Sequence, residues 1–246
     1  MSGSGNDFIV IDNRTPLVPE ERGGRAGWSG HAGISGRFSN SDASPAERGR
    51  RASRRGFRRP ETASPASDVL SGPQPGPVAA EVTGKRVKVK MPDPVGLRLS
   101  YPITLARGTL TVSSVNTGVP HVVVPCADVD ALDVVALGRE IRYHDQYAPA
   151  GTNVNLVCPR PEGAIAVRTY ERGVEDETLA CGTGAIAAAL VTAALDGRRS
   201  PIAVVTRGGE TLMIFFQMED HRYRSIFMEG DARLIYRGEL CEEAWI

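Results

Sequence analysis

The sequence of 246 residues predicts an α+β fold, and three observations lead to that prediction. Short segments rich in β-branched residues recur along the chain and are separated by glycine or charged turns. Two segments, residues 128–144 and 185–195, favour helices. Short strands spaced in this way, with two or three helices among them, are typical of an α+β domain.

Composition and charge exclude several classes of protein. The formal net charge is zero and the pI is near neutral, so no global attraction to nucleic acid or to membranes is implied. No apolar run reaches the length of a membrane span, and no signal peptide opens the sequence. The four cysteines are widely spaced and form neither a metal-binding pattern nor a dense disulfide framework. We therefore expect a cytoplasmic protein that binds neither nucleic acid nor membrane.

The elements follow in order from the N-terminus. Residues 7–12 form a short strand, and Gly3, Gly5 and Asn6 before it allow a tight backbone path. Taken alone, this segment is an ordinary hairpin edge. From residue 22 to about 77 the composition changes: ten Arg and no Lys lie between Arg22 and Arg59, and aliphatic residues are scarce. We expect residues 23–77 to be disordered or corrupted.

Regular patterns return at residue 84. Strands are predicted over residues 84–91, 108–115, 201–206, 211–216, 223–228 and 232–236. An amphipathic helix is predicted over residues 128–144, with Leu132, Val135 and Ile141 facing the core. His121 begins a strand after a Gly/Pro turn, and a lone histidine there is usually structural. Asn153 lies where residues 148–157 pass from a plain loop into a strand.

The most informative stretch runs from Glu171 to Ala185. A predicted strand over residues 164–170 precedes it, and a run of helix formers follows, ended by Asp196 and Gly197. Cys181 therefore lies where a loop turns into a helix, a place that lowers a thiol pKa. The N–H groups of Gly182 and Thr183 suit a carboxylate. A small buried cysteine is the alternative interpretation.

The residues just before this helix add charge. Arg172 offers a planar fork for a carboxylate, and Glu171 offers an acceptor for an ammonium group. Together with Cys181 they suggest a pocket for a free amino acid around a reactive thiol.

Two motifs resemble the diaminopimelate epimerase family. Residues 170–188 resemble its second cysteine motif, and residues 1–12 resemble its opening motif. The resemblance covers residues 1–22 and about 80–246. It implies two pseudo-symmetric halves, each a curled sheet around a central helix, with the site between them. The halves would be residues 1–112, incomplete in this chain, and 113–231, and a strand within 232–246 would return to the first half.

The resemblance also implies roles for individual residues. Its catalytic residues would be Cys181, Glu171 and His121, the last tuning the thiol. The substrate-binding residues would be Asn6, Asn40, Asn153, Glu171, Arg172, Gly182 and Thr183. The implied reaction interconverts LL- and meso-2,6-diaminopimelate in lysine biosynthesis through two thiols, with no cofactor and no metal. Its partner is a small amino acid, and a homodimer is compatible with it.

The first thiol of that pair is missing from the sequence. Residues 40–47 resemble the turn that precedes it in the family, but Gly49 occupies the expected cysteine position. No cysteine precedes Cys126. Because the segment from Arg22 to Arg59 contains arginine but no lysine, we expect that it was frameshifted or has degenerated. Two alternatives therefore stay open: an impaired or inactive homologue that acts as a binding or interaction protein, and another cofactor-independent amino-acid racemase.

Overall fold

The computed structural model describes residues 2–3, 6–11, 34–38, 67–70, 77–220 and 222–233. The chain divides into two compact units, one made of residues 1–89 with 231–246 and the other of residues 90–230. Strands dominate the described residues of both units. The α+β prediction is confirmed, while the pseudo-symmetry of two halves stays a prediction.

The described strands of the first unit form two antiparallel groups. In one, β2 lies between β1 and β3, and in the other β5 lies between β4 and β6. Their bounds are Ser2–Gly3 (β1), Asn6–Ile11 (β2), Ile34–Phe38 (β3), Ser67–Leu70 (β4), Pro77–Thr83 (β5) and Arg86–Lys90 (β6). Gly84, with φ of 61°, forms the tight turn between β5 and β6. Ala80 of β5 and Val87 of β6 are buried in one small apolar cluster, and Val82 and Val89 pack against it.

The described residues of the second unit form one mixed sheet. Its order is β15-β14-β13-β11-β10-β9-β8-β7, and β12 pairs with the end of β11. The pairs β9–β10 and β11–β13 are parallel, and the others are antiparallel. The bounds are Val95–Leu105 (β7), Gly108–Asn116 (β8), Pro120–Pro125 (β9), Asn153–Pro159 (β10), Ile165–Glu171 (β11), Asp176–Thr178 (β12), Ile202–Val205 (β13), Thr211–Glu219 (β14) and Arg222–Asp231 (β15).

A nearly apolar helix lies inside the curl of this sheet. It spans Gly182–Asp196 (α2 below) and contacts β7, β8, β9, β10, β11, β13 and β14. Its residues from Gly184 to Val191 are all buried, and half of them are alanine. Small side chains on every face let strands approach from several directions. Gly197, with φ of 68°, ends the helix in the left-handed conformation.

A second helix, Val134–Arg142 (α1), packs on the opposite face of the sheet against β10, β11 and β12. Gly138 allows the close approach, because a Cβ there would lie 2.3 Å from Cβ of Tyr170. The helix buries Val134, Leu137, Gly138 and Ile141. The prediction for Ile141 is confirmed and Leu132 is partly buried, but Val135 is 40% exposed, so its predicted inward orientation is wrong.

The register of α1 explains that error. The helix begins at Val134, and its buried positions follow the i, i+3, i+4, i+7 spacing from that residue. Val135 therefore faces away from the sheet. Asp133 caps the helix by accepting a hydrogen bond from the Ala136 N–H at 2.9 Å.

Other differences from the predicted elements have local causes. β7 was not predicted, because Gly96 and Pro102 interrupt its pattern. β7 lies at one end of the sheet order of its unit, and an end strand tolerates proline. Within residues 23–77, expected to lack regular structure, β3 and β4 are paired strands, since β2 and β5 supply their partners. The rest of that segment, and residues 234–236 of the predicted last strand, lie outside the described residues.

Candidate active site

One edge of the second unit's sheet collects the polar residues of the candidate site. In the parallel pair β9–β10, Asn153 lies directly beside His121. The next strand runs the opposite way, so the end of β11 at Glu171 comes to the same edge. The start of α2 lies there too, because the Thr183 side chain contacts His121. Strand register and the position of α2 therefore bring together residues that lie far apart in sequence.

Side-chain alternation decides which residues of these strands face α2. Val122, Val154, Leu156 and Tyr170 belong to the core beneath α1. The intervening residues point to the other face, as the period of two requires. His121, Asn155 and Thr169 are among them, and all three are buried beside the start of α2.

Cys181 is the N-cap residue of α2 and is half-buried. Its sulfur lies 3.6 Å from Oγ1 of Thr183. The Cys181 carbonyl accepts the Ala185 N–H at 2.9 Å, which is the first hydrogen bond of the helix. Gly182 passes close to Met228 of β15, where a Cβ would lie 2.9 Å from the Met228 sulfur. The thiol thus lies at the positive end of a helix dipole.

His121 is 1% exposed and is held from both sides of its ring. Nε2 lies 3.0 Å from Oγ1 of Thr183, and Nδ1 lies 3.0 Å from Nδ2 of Asn155. Asn155 has further partners: Nδ2 donates to the Val122 carbonyl at 3.0 Å, and Oδ1 accepts from the Thr169 hydroxyl at 3.0 Å. Every polar atom of this buried amide is therefore satisfied.

Burial lowers the pKa of His121 to about 3, and the nearby positive charge of Arg172 adds to this effect. The imidazole is consequently neutral at physiological pH. A neutral ring carries one proton, so one ring nitrogen donates and the other accepts.

The segment after β11 is fixed by polar contacts. The Arg172 N–H donates to Oδ1 of Asn153 at 2.8 Å, and its guanidinium donates to the Ala150 carbonyl at 2.9 Å. Glu175 accepts from the Gly173 N–H at 2.8 Å and pairs with Arg142 at 3.0 Å. Burial would raise the pKa of Glu175, but these two donors outweigh it and the pKa is lowered. The Arg172 backbone is thereby held against β10.

The structure brings together several of the predicted site residues. Cys181 and Thr183 are in contact, as are Thr183 and His121, and Arg172 is bonded to Asn153. Glu171 ends β11, and Gly182 is the first residue of α2. Asn6 begins β2 in the other unit, where only its backbone is described, and Asn40 and Gly49 lie outside the described residues. The roles of all these residues stay predictions.

Asn155 is the residue that sequence reasoning missed. It lies two positions after Asn153 on a strand otherwise made of apolar residues, so both point to the same face. A polar residue in a buried strand is the signal that would have identified it. In the part of the chain that the structure describes, no group of three or more His, Cys, Asp or Glu residues has the arrangement of a metal site. None of the described helices is long and apolar enough to cross a membrane.

Comparisons with known proteins identify the family of the chain. The family model described as diaminopimelate epimerase matches residues 113–235. The diaminopimelate epimerase of Aquifex aeolicus is 39% identical over 99% of this chain and 97% of that protein. The diaminopimelate epimerase of Methanocella arvoryzae is 35% identical over 98% of this chain and 95% of that protein.

Solved structures extend the likeness to the fold. A probable proline racemase from Agrobacterium radiobacter K84 superposes with a TM-score of 0.55 at 16% identity, over 75% of this chain and 67% of that one. At that identity the likeness concerns the fold alone. The family match and the identity over nearly the whole chain show that this protein belongs to the diaminopimelate epimerase family.

Proposed function

We propose that this chain acts as a diaminopimelate epimerase and that Cys181 transfers the α-proton on one face of the substrate. The observation that carries the proposal is the position of Cys181 at the start of α2, in contact with Thr183 and, through it, with a buried neutral His121. The comparisons supply the substrate class, since the relatives that align over almost the whole chain are diaminopimelate epimerases.

The chemistry follows from the weak acidity of an amino-acid α-proton. A thiolate removes the proton and becomes a thiol, and the electron pair of the broken C–H bond stays on the α-carbon next to the carboxylate. A proton delivered from the opposite face then inverts the centre. Negative charge develops at the carboxylate during this step. The free N–H groups in the first turn of a helix are donors suited to that charge.

Recognition of the amino acid is assigned to the neighbouring charged and amide groups. The Arg172 guanidinium suits a carboxylate, and Glu171 suits an ammonium group. The Asn153 side chain accepts a hydrogen bond from the Arg172 N–H, and this contact fixes the position of the Glu171-Arg172 dipeptide. The family resemblance adds Asn6 and Asn40 to this proposal as substrate-binding residues.

Exchange of the α-proton with solvent tests the proposal directly. Each stereoisomer of diaminopimelate is incubated with the purified chain in D₂O, and deuterium at the α-carbon is followed by NMR together with epimer formation. A working epimerase incorporates deuterium and interconverts LL- and meso-diaminopimelate. If neither exchange nor interconversion occurs, while Cys181 is intact and the protein folded, the proposal is refuted.

A second candidate function is exchange from one face only. A specific observation favours it: Gly49 occupies the position where the family motif has its first cysteine, and no cysteine precedes Cys126. A single thiolate can remove an α-proton and return deuterium to the same face without inverting the centre. Deuterium incorporation without change of configuration would identify this activity.

The wider setting belongs to the same proposal. The expected pathway is lysine biosynthesis in the cytoplasm, with a small amino acid as the partner. A homodimer is the assembly to test by sedimentation. Family membership supports these points.

A further inference from the structure

A continuous line of side chains runs from the middle of the sheet to the sulfur of Cys181. Asn155, His121, Thr183 and Cys181 follow one another, at 3.0, 3.0 and 3.6 Å. Asn155 and His121 are buried at 0% and 1% exposure, so water does not compete for their hydrogen bonds. What matters for a thiolate is the direction in which the hydrogens of this line point.

The orientation of the Asn155 amide is determined by its surroundings. One end of the amide lies 3.0 Å from the Val122 carbonyl oxygen, which only accepts hydrogen bonds. That end must therefore be the NH₂ group. The opposite end accepts from the Thr169 hydroxyl at 3.0 Å, as a carbonyl oxygen does. The second hydrogen of the NH₂ group is directed at Nδ1 of His121.

The tautomer of His121 follows from this orientation. Because Nδ1 accepts from Asn155, it carries no hydrogen, and the single proton of the neutral ring is on Nε2. Nε2 then donates to Oγ1 of Thr183 at 3.0 Å. The positive charge of Arg172 also acts against protonation of the ring.

The Thr183 hydroxyl is turned by its contact with His121. Its oxygen accepts from Nε2, so its own hydrogen is free to point elsewhere. The Cys181 sulfur lies 3.6 Å from that oxygen, within the range for a hydrogen bond to sulfur. The Thr183 carbonyl is fixed separately, because it accepts from the Thr117 hydroxyl at 2.9 Å. The first turn of α2 is thus held from two sides.

We propose that Asn155 is a positioning residue for Cys181: it fixes the Nε2–H tautomer of His121, which turns the Thr183 hydroxyl hydrogen toward the Cys181 sulfur and stabilises the thiolate. The proposal deepens the proposed function and rests on it for its catalytic meaning. His121 is then a donor in a fixed direction and not a base. With the other tautomer, Thr183 would donate to His121 and the thiolate would lose this partner.

The tautomer is measured first, by ¹⁵N NMR of the histidine ring in the full-length protein without substrate. A His121→Gln variant identifies the His121 signals among those of the four histidines. We expect a pyrrole-type Nε2 and a pyridine-type Nδ1, unchanged between about pH 5 and pH 8. A protonated Nδ1, or a ring that titrates in this range, would overturn the proposal.

The consequence for the sulfur is measured by the pH dependence of Cys181 alkylation. Hydrogen bonds to charged groups are stronger than those between neutral groups, but this contact is long at 3.6 Å, so we expect Asn155→Leu and Thr183→Val to raise the apparent thiol pKa by about one pH unit. Thr183→Ser keeps the hydroxyl and is expected to restore the wild-type profile. Thr206→Val is the matched control and should keep the wild-type profile, since it removes a buried threonine hydroxyl whose hydrogen bond, to the Glu210 carbonyl at 3.1 Å, lies outside this line.

Folding is checked by urea denaturation of each variant. If Asn155→Leu does not fold, the wild-type tautomer and the Thr183→Val and Thr183→Ser profiles decide the proposal. An alkylation profile that is unchanged in Thr183→Val would overturn it. Neither measurement needs turnover, so a chain that shows the tautomer and the shift but exchanges no α-proton would refute the proposed function alone.

Discussion

Replacing Gly184 by alanine is the substitution that the geometry around Cys181 makes most informative. A Cβ at this position would lie 2.3 Å from Oδ1 of Asn155 and 3.3 Å from the Cys181 sulfur. The first distance is roughly 1 Å shorter than ordinary carbon–oxygen contacts. Asn155 is fully buried, so its amide has no free space into which to move.

The magnitude follows from three effects. Overpacking a buried site costs about 1–3 kcal/mol. Displacing the buried amide from its hydrogen-bond partners costs about 1–3 kcal/mol more. Alanine is favoured over glycine in a helix by up to about 1 kcal/mol, which offsets part of the cost. The net expectation for Gly184→Ala is a loss of about 3 kcal/mol in the free energy of unfolding.

Urea denaturation followed by circular dichroism measures this loss, and alkylation of Cys181 follows the sulfur. Gly208→Ala is the control, because a Cβ there meets its nearest neighbour at 3.5 Å, an ordinary contact. We expect the control to stay within about 0.5 kcal/mol of wild type. The reasoning is refuted if Gly184→Ala is as stable as Gly208→Ala and leaves the alkylation rate unchanged.

Three further predictions concern the same unit. Cys181→Ala should lower α-proton exchange on one face of diaminopimelate by about 10²–10⁴-fold, and unchanged exchange by NMR would contradict its role. Below pH 6.5 His121 binds a proton in the unfolded chain, whereas in the native chain it stays neutral down to about pH 3. Native stability therefore falls as the pH falls through this range. At about pH 5 this costs about 2 kcal/mol, and urea titrations of His121→Gln should lack that part of the pH dependence. Gly138→Ala, whose Cβ would lie 2.3 Å from Cβ of Tyr170, should cost about 1–3 kcal/mol, visible as a lower urea midpoint.

Local sequence patterns predict the elements that depend on local preference. The helix over residues 185–195 was expected from its helix formers and its Asp196-Gly197 end, and α2 ends at Asp196 with Gly197 in the left-handed conformation. The predicted strands near residues 108–115, 211–216 and 223–228 are observed with longer bounds. Where the pattern is broken by proline, as in β7, the tertiary position of the strand decides and the sequence alone does not show it.

The candidate site shows the same limit more sharply. Cys181 and Arg172 are noticeable in sequence because a helix start and a charged dipeptide lie close together along the chain. Asn155 is noticeable as a polar residue in an apolar strand, but its partner His121 becomes known only when parallel pairing brings β10 beside β9. The inward prediction for Val135 failed because the stripe of α1 that packs on the sheet passes through Gly138, which lies against Tyr170 and does not stand out as an apolar position in the sequence. Contacts between distant segments are thus the part that local patterns do not supply.

The parallel pairing of β9 with β10 has a consequence for refolding kinetics. His121 and Asn153 become neighbours only after the whole connection over residues 126–152, which includes α1, has closed. Long-range parallel pairing is slow to form, because chain entropy is lost in closing the connection before the hydrogen bonds between the two strands form. The chemical environment of the Cys181 thiol is therefore completed late, and its native alkylation rate is a marker of finished folding and not of early collapse.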